Sequence, residues 1–441
     1  MASGSSERGP GLALAGYPEH RDAVRLSAPE FAADPAALYR VLRERHGPVA
    51  PVLLDGDVPA WLVLGYREVR QVTSQPELFG RDCRRWNAWH RIPVDWPLMP
   101  YLGWTVSVRF TEGAEHRRRE EVLSDALDAV DPARLEATAE RVADHLIDAF
   151  ARDGTADLIG QYAQQVPIRV LTTLFGLPGS AVPGLVRDIA GSLDAGPAAV
   201  EANQRLHRWV QQLVTEAQDR PGPATASRLL GHPAGLTADQ AVTDILVMTV
   251  AGQQPTADWI GSTLRRMLVD DEFSVALQGG RATVADALNA VLWSDPPVRH
   301  GTGRWAASDQ ELGGRQIRRG DLLILGLAAA NSDPQAHPGA GAESGVNRAH
   351  LAFGHGEHGC PSPAPELAAI IAKSAVEVLL DRIPDVRLAV APGSLRWRPS
   401  PWLRGLASLP VRFTPVAPVA PGGRPRRPAA NAPAANVRGA G

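Results

Sequence analysis

Cysteine is nearly absent: among 441 residues there are two, Cys83 and Cys360. Two cysteines so far apart do not form a disulfide framework, which points to reduced thiols and a cytoplasmic protein. Lysine is scarcer still. Lys373 is the only one, and the remaining basic charge is arginine, used on every kind of segment, as coding bias would give. Neither sign of charge dominates: the formal net charge is −3 and the pI near 6.5, which gives no reason to expect a nucleic-acid partner. No apolar run reaches the roughly 18 residues of a membrane-spanning helix, so no membrane association is expected. Residues 1–17 lack the basic start and apolar core of a signal peptide. No internal repeat is visible.

What is present reads as a folded, mainly helical chain. Hydrophobic residues make up 44% and charged residues 21%, enough apolar surface for a sizeable core. Asp34-Pro35 opens a helix that runs through Arg43, Ala60–Leu64 reads as a buried strand, and Glu68–Val72 continues as a helix. Helical periodicity dominates from about residue 111 to 270, broken at Gly176-Leu-Pro-Gly and Pro221-Gly-Pro. Ala238–Val269 is the longest helix candidate. Its middle, Ile245 to Gly252, is apolar almost all round, as in a helix buried in a large domain. After Pro296-Pro297 the pattern turns to strands, and a last helix runs from beyond Cys360 to about Arg382. The expectation is a mainly α chain with minor β, in one domain over 19–415. It is flanked by a disordered N-terminus, 1–18, and a Pro/Ala/Arg-rich disordered tail, 416–441, which has too little apolar area to offset chain entropy.

The chemistry concentrates in Ala352-Phe-Gly-His-Gly-Glu-His-Gly-Cys-Pro361. Gly354, Gly356 and Gly359 permit positive φ and close approach of backbone to a flat ligand. His358 is two residues before Cys360 and within reach of an anionic group on the same ligand. A following helix would place its N-terminal dipole on the thiolate and lower its pKa. Three readings stand on these residues alone. Cys360 is a thiolate ligand to haem iron, or an inert cysteine beside a turn, or part of a zinc site with His355, Glu357 and His358, whose spacing is poor for zinc.

The segment resembles the haem-binding loop of the cytochromes P450, Phe-x-x-Gly-x-His/Arg-x-Cys-x-Gly: Phe353, Gly356, His358 and Cys360 match, and Ser362 replaces the last glycine. Asp295-Pro-Pro-Val298, Thr302-Gly-Arg304, Glu311-Leu-Gly-Gly314 and Ala328-Ala-Ala-Asn-Ser-Asp-Pro334 extend the resemblance over about residues 20–415. It implies a single-domain, mainly α cytochrome P450 fold that holds haem b between a long central helix and the cysteine loop. It also implies Cys360 as the iron ligand, His116, Arg304 and His358 as propionate partners, and Ala251, Gly252, Phe353 and Gly354 as haem contacts. Trp86, Trp89 and Trp96 fall where the family lines its substrate pocket, with Trp305 and Trp402 as further candidates; core packing is the alternative for all of them.

Three departures accompany the resemblance. The family's Ala-Gly-x-acid-Thr reads Ala251-Gly-Gln-Gln254-Pro255-Thr256. Gln254 has no ionisable proton and Pro255 no hydroxyl, so a catalytic part for Gln254 and Thr256 is a shifted one. Pro255 also offers no N–H to the Ala251 carbonyl, which predicts a groove kept open without the alcohol. The Glu-x-x-Arg pair is replaced by Ala290 and Trp293, and the loop 338–346 lacks the Arg that usually completes that triad, a joint loss that packed apolar groups tolerate. The chain resembles an actinobacterial branch with the same Trp, encoded beside sensor-like and small-GTPase-like proteins. Finally, Pro361, Pro363 and Pro365 remove N–H donors to the sulfur, which predicts a lower iron potential. His116 is followed at the usual Arg position by Glu120, with Arg117, Arg118 and Arg119 as possible substitutes.

The resemblance implies a haem-thiolate monooxygenase acting on a small organic molecule, with electrons from a separate ferredoxin and ferredoxin reductase. The alternative it leaves is a haem-binding regulatory or interaction protein with a regulatory protein partner and weak or no oxygenase activity.

Overall fold

The computed structural model describes residues 16–28, 31, 34–93, 96, 98–177, 179–192, 197–270, 273, 282–336 and 347–419. Thirteen helices are defined among them: α1 Pro35–His46, α2 Tyr66–Ser74, α3 Met99–Leu102, α4 Gly113–Asp128, α5 Pro132–Asp148, α6 Gln165–Phe175, α7 Val182–Ser192, α8 Pro197–Asp219, α9 Thr225–Gly231, α10 Ala238–Val269, α11 Val284–Ser294, α12 Leu327–Asn331 and α13 Ala364–Arg382. The strands are β1 Val24–Arg25, β2 Val49–Leu54, β3 Val58–Val63, β4 Phe79–Gly80, β5 Thr155–Asp157, β6 Gly301–Ala306, β7 Gln310–Leu312, β8 Arg315–Ile317, β9 Leu322–Leu325, β10 Arg387–Leu388 and β11 Pro410–Arg412. No helix among the described residues is long and apolar enough to cross a membrane.

Local chemistry sets the ends of these helices. Asp34 caps α1 by accepting from the Ala37 N–H at 3.0 Å, with Pro35 in the first turn. Gly176 ends α6 at φ +88°, where a side chain would be strained. Thr237 and Gln240 form a reciprocal capping box at the start of α10, which then runs unbroken through Pro255. The β7–β8 hairpin turns on Gly313 and Gly314, both at positive φ.

The main sheet is ordered β1-β2-β3-β9-β6-β4. Along β3 and β9 side chains alternate between two buried faces: Ala60, Leu62, Leu322 and Ile324 join one cluster, Trp61, Val63, Leu323 and Leu325 the other. The helical core gathers α5, α6, α10, α11 and α13 around Ile260, Leu264, Val291, Ala375 and Leu379. Lys373 lies on the outer side of α13, 44% exposed and 3.9 Å from Glu377.

The folded chain reaches slightly further than its composition indicates. Tyr17, assigned to the disordered N-terminus, donates its hydroxyl to Asn87 Oδ1. Residues 416–419, assigned to the tail, run against the end of α5: Val416 N–H reaches Ala151 O and Val419 N–H reaches Asp148 Oδ1. Residues 1–15 and 420–441, and with them the rest of both disorder expectations, lie outside the described residues, as does the loop 338–346. The aromatic candidates are core. Trp86, Trp96, Trp305 and Trp402 are buried in the cluster on one face of the sheet, and Trp96 donates to Asp55 O at 2.8 Å. Trp89 alone of these is exposed. A sheet covered on both faces needs large apolar groups, and these indoles supply them.

Candidate functional site

The cysteine loop is folded by its own backbone. Gly354 N–H bonds Leu351 O, Gly359 N–H bonds Gly356 O, and Cys360 N–H bonds Phe353 O at 2.8 Å. Gly354 and Gly356 have positive φ. At Gly356 the close approach is to protein: a Cβ there would collide with the Thr73 carbonyl of α2. The loop delivers Cys360 four residues before α13. Its surface is accessible, yet it sits deep enough that burial, reinforced by the Glu366 charge, pushes the thiol up to about 12. Burial and the acid in the first helical turn both oppose the lowering expected from the helix terminus. No donor bonds the sulfur among the described residues.

Above this loop lies α10. Trp259 stacks edge-on against Phe353 with ring centroids 5.8 Å apart and donates Nε1–H to Leu288 O of α11. Ala251 is exposed in mid-helix, although Gln253, Gln254, Thr256 and Ala257 around it are buried. Ala251 of the helix and Cys360 of the loop both keep accessible surface. Gly252 abuts α6, where an added Cβ would meet Leu171 at 3.3 Å. Gln254 Nε2 donates to Asp258 Oδ1 at 3.0 Å. Thr256 is buried on another side of the helix, about 100° round from Pro255. Unlike Thr249 and Thr263, whose hydroxyls bond the carbonyl four residues back, it makes no side-chain hydrogen bond among the described residues.

The three sequence-derived anchors converge. The His116 and His358 rings lie 4.0 Å apart. His116 points its two ring nitrogens at the carbonyls of Val108 (2.8 Å) and Glu357 (2.9 Å). His358 is driven strongly toward its neutral form by burial and by the charges of Arg81, Arg304 and His116; its Nε2 is buried without a partner among the described residues. Arg304, on β6, is buried and held at about 10 by loss of hydration, with Glu112 and Glu357 opposing. It makes no side-chain hydrogen bond or ion pair among the described residues. Sequence reading missed Arg81, which is buried and donates to Arg109 O, Thr302 O and Oγ1, and Gly303 O, so fixing the strand that carries Arg304.

The proposed substitutes for a second α4 cation face elsewhere. Arg117 is exposed, Arg118 pairs with Glu115 and the Ala234 and Gly235 carbonyls, and Arg119 is buried against Asp244 of α10 at 2.8 Å. A zinc site is also not formed. His355 turns to Thr73 Oγ1 at 3.0 Å and His358 to His116, and no group of three or more His, Cys, Asp or Glu among the described residues is placed to hold a metal ion.

No family model matches the chain. It is 29% identical over 389 residues to cytochrome P450 107B1 of Saccharopolyspora erythraea, covering 85% of this chain and 94% of that protein. It is 28% identical over 397 residues to the vitamin D(3) 25-hydroxylase of Pseudonocardia autotrophica, covering 87% and 95%. Among solved structures, CYP154A1 of Streptomyces coelicolor A3(2) superimposes with a TM-score of 0.77 at 28% identity, over 86% of this chain and 98% of that one. Over most of its length the chain is similar, in sequence and in fold, to bacterial cytochromes P450.

Haem is the cofactor, and the residues present suit it. Arg81 and Arg304 bring positive charge, and Arg304 and His358 bring nitrogens without a partner among the described residues, to one buried place. Of the two acids nearby, Glu112 is already engaged with the Arg81 and Asp82 amides and with Arg85. Buried donors without acceptors call for an anion, and haem carries carboxylates on one edge. Where the cytochromes P450 have their Glu-x-x-Arg pair, this chain uses neutral groups: Trp293 Nε1–H and Asn289 Nδ2–H both donate to Asn347 O, at 2.8 and 3.0 Å. Helix α11 is thereby tied to the segment before the cysteine loop without a buried charge.

Proposed function

We propose that this chain is a haem-thiolate monooxygenase that oxygenates a small organic molecule with O2 and with electrons from a separate ferredoxin and its reductase. The observation that carries the reading is Cys360 on its backbone-folded loop, with accessible surface, while the buried cations Arg81 and Arg304 act on His358 of the same loop. When bound, haem supplies the electron transfer and the activation of O2. The chain does the rest. Cys360 Sγ would bind the haem iron. Arg304, His358 and His116 hold the carboxylate edge, and Arg81 holds Arg304's strand in place. Phe353, backed by Trp259, and Gly354 shape the floor; Ala251 and Gly252 shape the roof. The relatives named above include a vitamin D(3) 25-hydroxylase, which supports a small organic substrate.

In the test, the haem-loaded protein is reduced under carbon monoxide. A thiolate ligand gives the red-shifted absorption band, and Cys360→Ala abolishes it. Compounds that shift the spin state are then offered with a ferredoxin, its reductase and NADPH, and NADPH consumption with product formation is expected. A carbonyl complex with the spectrum of a neutral ligand in the unmodified chain would falsify the assignment of Cys360.

A further inference from the structure

Insertion of one oxygen atom from O2 into a C–H bond releases the other as water and consumes two electrons and two protons. A buried site must be supplied with those protons. Position 254, beside the accessible Ala251, offers an amide and position 255 a proline. Gln254 is nevertheless bonded to an acid: its Nε2 donates to Asp258 Oδ1 at 3.0 Å, and both residues are buried. Seven residues of α-helix return to within about 20° of the same azimuth, so Asp258 lies two turns along the stripe that begins at Ala251.

Arg398 is the charged side chain that faces Asp258, with Nη2 at 2.7 Å from both oxygens. Gly405 closes another side so tightly that a Cβ there would strike Oδ1. In this setting burial pushes the carboxyl up to about 7, against the opposing pull of Arg398 and Gln254. One more turn along the stripe is Ser262, whose buried hydroxyl has no partner among the described residues. Ser262 lines a cavity of about 400 Å³ that opens to solvent between Arg265, Asp295, Trp397 and Arg404. Trp397 precedes Arg398, so one segment walls the cavity and supplies the counter-charge. The other buried acid of α10, Asp244, is committed: Arg119 grips both its oxygens and Val108 N–H bonds Oδ1.

We propose that Asp258 is the proton-holding carboxyl of the central helix, displaced one turn from position 254, refilled from solvent by way of Ser262 and its cavity. It rests on the monooxygenase reading. In each cycle Asp258 gives up its proton toward the oxygen atom that leaves as water. It becomes a carboxylate opposed by Arg398 and is reprotonated from the cavity side. Gln254 positions it.

The test uses the full chain loaded with haem, in three forms: unmodified, Asp258→Asn and Arg398→Gln. Infrared difference spectra against pH should show a protonated-carboxyl band that titrates near neutrality and is missing in Asp258→Asn. In Arg398→Gln its midpoint should rise, because the charge that favours the carboxylate is gone. The stretching frequency of carbon monoxide on the reduced haem should step at the same midpoint and lose the step in Asp258→Asn. With an electron donor, Asp258→Asn should lower product formation about 100-fold and divert electrons to hydrogen peroxide. A carbon monoxide step that persists unchanged in Asp258→Asn overturns the proposal, as does an Asp258 carboxyl that stays ionised from about pH 5 upward. If Asp258→Asn does not fold, an unmoved midpoint in Arg398→Gln does the same. If the unmodified protein oxygenates nothing, the two spectroscopic readouts still decide the role of Asp258, so its failure is distinct from failure of the oxygenase reading.

Discussion

Trp293 does with one indole N–H what charged groups do in the cytochromes P450. It and Asn289 share the Asn347 carbonyl, while Ala290 beside them is small and buried. Putting an arginine back at this place should harm the fold. Trp293→Arg buries a cation with no acid opposite among the described residues and is expected to cost about 3–5 kcal/mol in urea unfolding; the double variant Ala290→Glu/Trp293→Arg should recover part of that loss. Gly356→Ala should be at least as damaging locally, because φ is +71° and the Thr73 carbonyl occupies the place of the new methyl; loss of haem retention on a desalting column is the readout. At this scale the sequence is uneven as a guide. Cys360 and His358 stand out because glycines and histidines crowd one short stretch. Arg81 does not, because nothing nearby separates it from the chain's other arginines. Its place is set by carbonyls of Arg109, Thr302 and Gly303, which only folding brings to it. Asp258 was passed over for a similar reason: its partner, Arg398, is remote in sequence.

Helix α10 carries the site and two tensions of its own. Pro255 sits inside it, depriving the Ala251 carbonyl of its usual donor. Pro255→Ala should raise the unfolding free energy by up to about 3 kcal/mol, measured by chemical denaturation, and narrow the groove expected at Ala251. The helix remains continuous across this residue, so the groove expected there rests on the missing N–H alone. Near its start, Arg119 and Asp244 form an ion pair with both side chains fully buried, which joins α4 to α10. Arg119→Ala leaves Asp244 buried and unpaired and should cost about 3–5 kcal/mol in the same measurement. Long elements like these were legible because caps and periodicity are local: Thr237 with Gln240 marks the start of α10 and Gly176 the end of α6. Strand β5 was not legible. It has three residues, and its pairing partner Val411 lies at the far end of the chain.

Across the whole molecule, acid should be a selective stress. His300 is buried with Nδ1 donating to Pro401 O and Nε2 accepting from the Tyr39 hydroxyl, an arrangement that needs the neutral ring. Burial, with Arg299 adding, depresses its pKa to about 3 from an ordinary 6.5. The unfolded chain binds a proton here that the folded chain refuses, so stability is present above about pH 6.5 and is lost as pH falls toward 3. Melting temperatures recorded across that window should decline, and His300→Gln with Tyr39→Phe should flatten the decline. The outer side of α13 has a practical meaning as well. Lys373 is the chain's single side-chain amine, and it stands exposed on the same rigid helix that begins just beyond Cys360. Amine-reactive reagents therefore find one side chain to modify, and a fluorophore coupled there is fixed at one place relative to the cysteine loop. Haem uptake could then be followed by energy transfer from that dye in the unmutated protein, with no engineered attachment point.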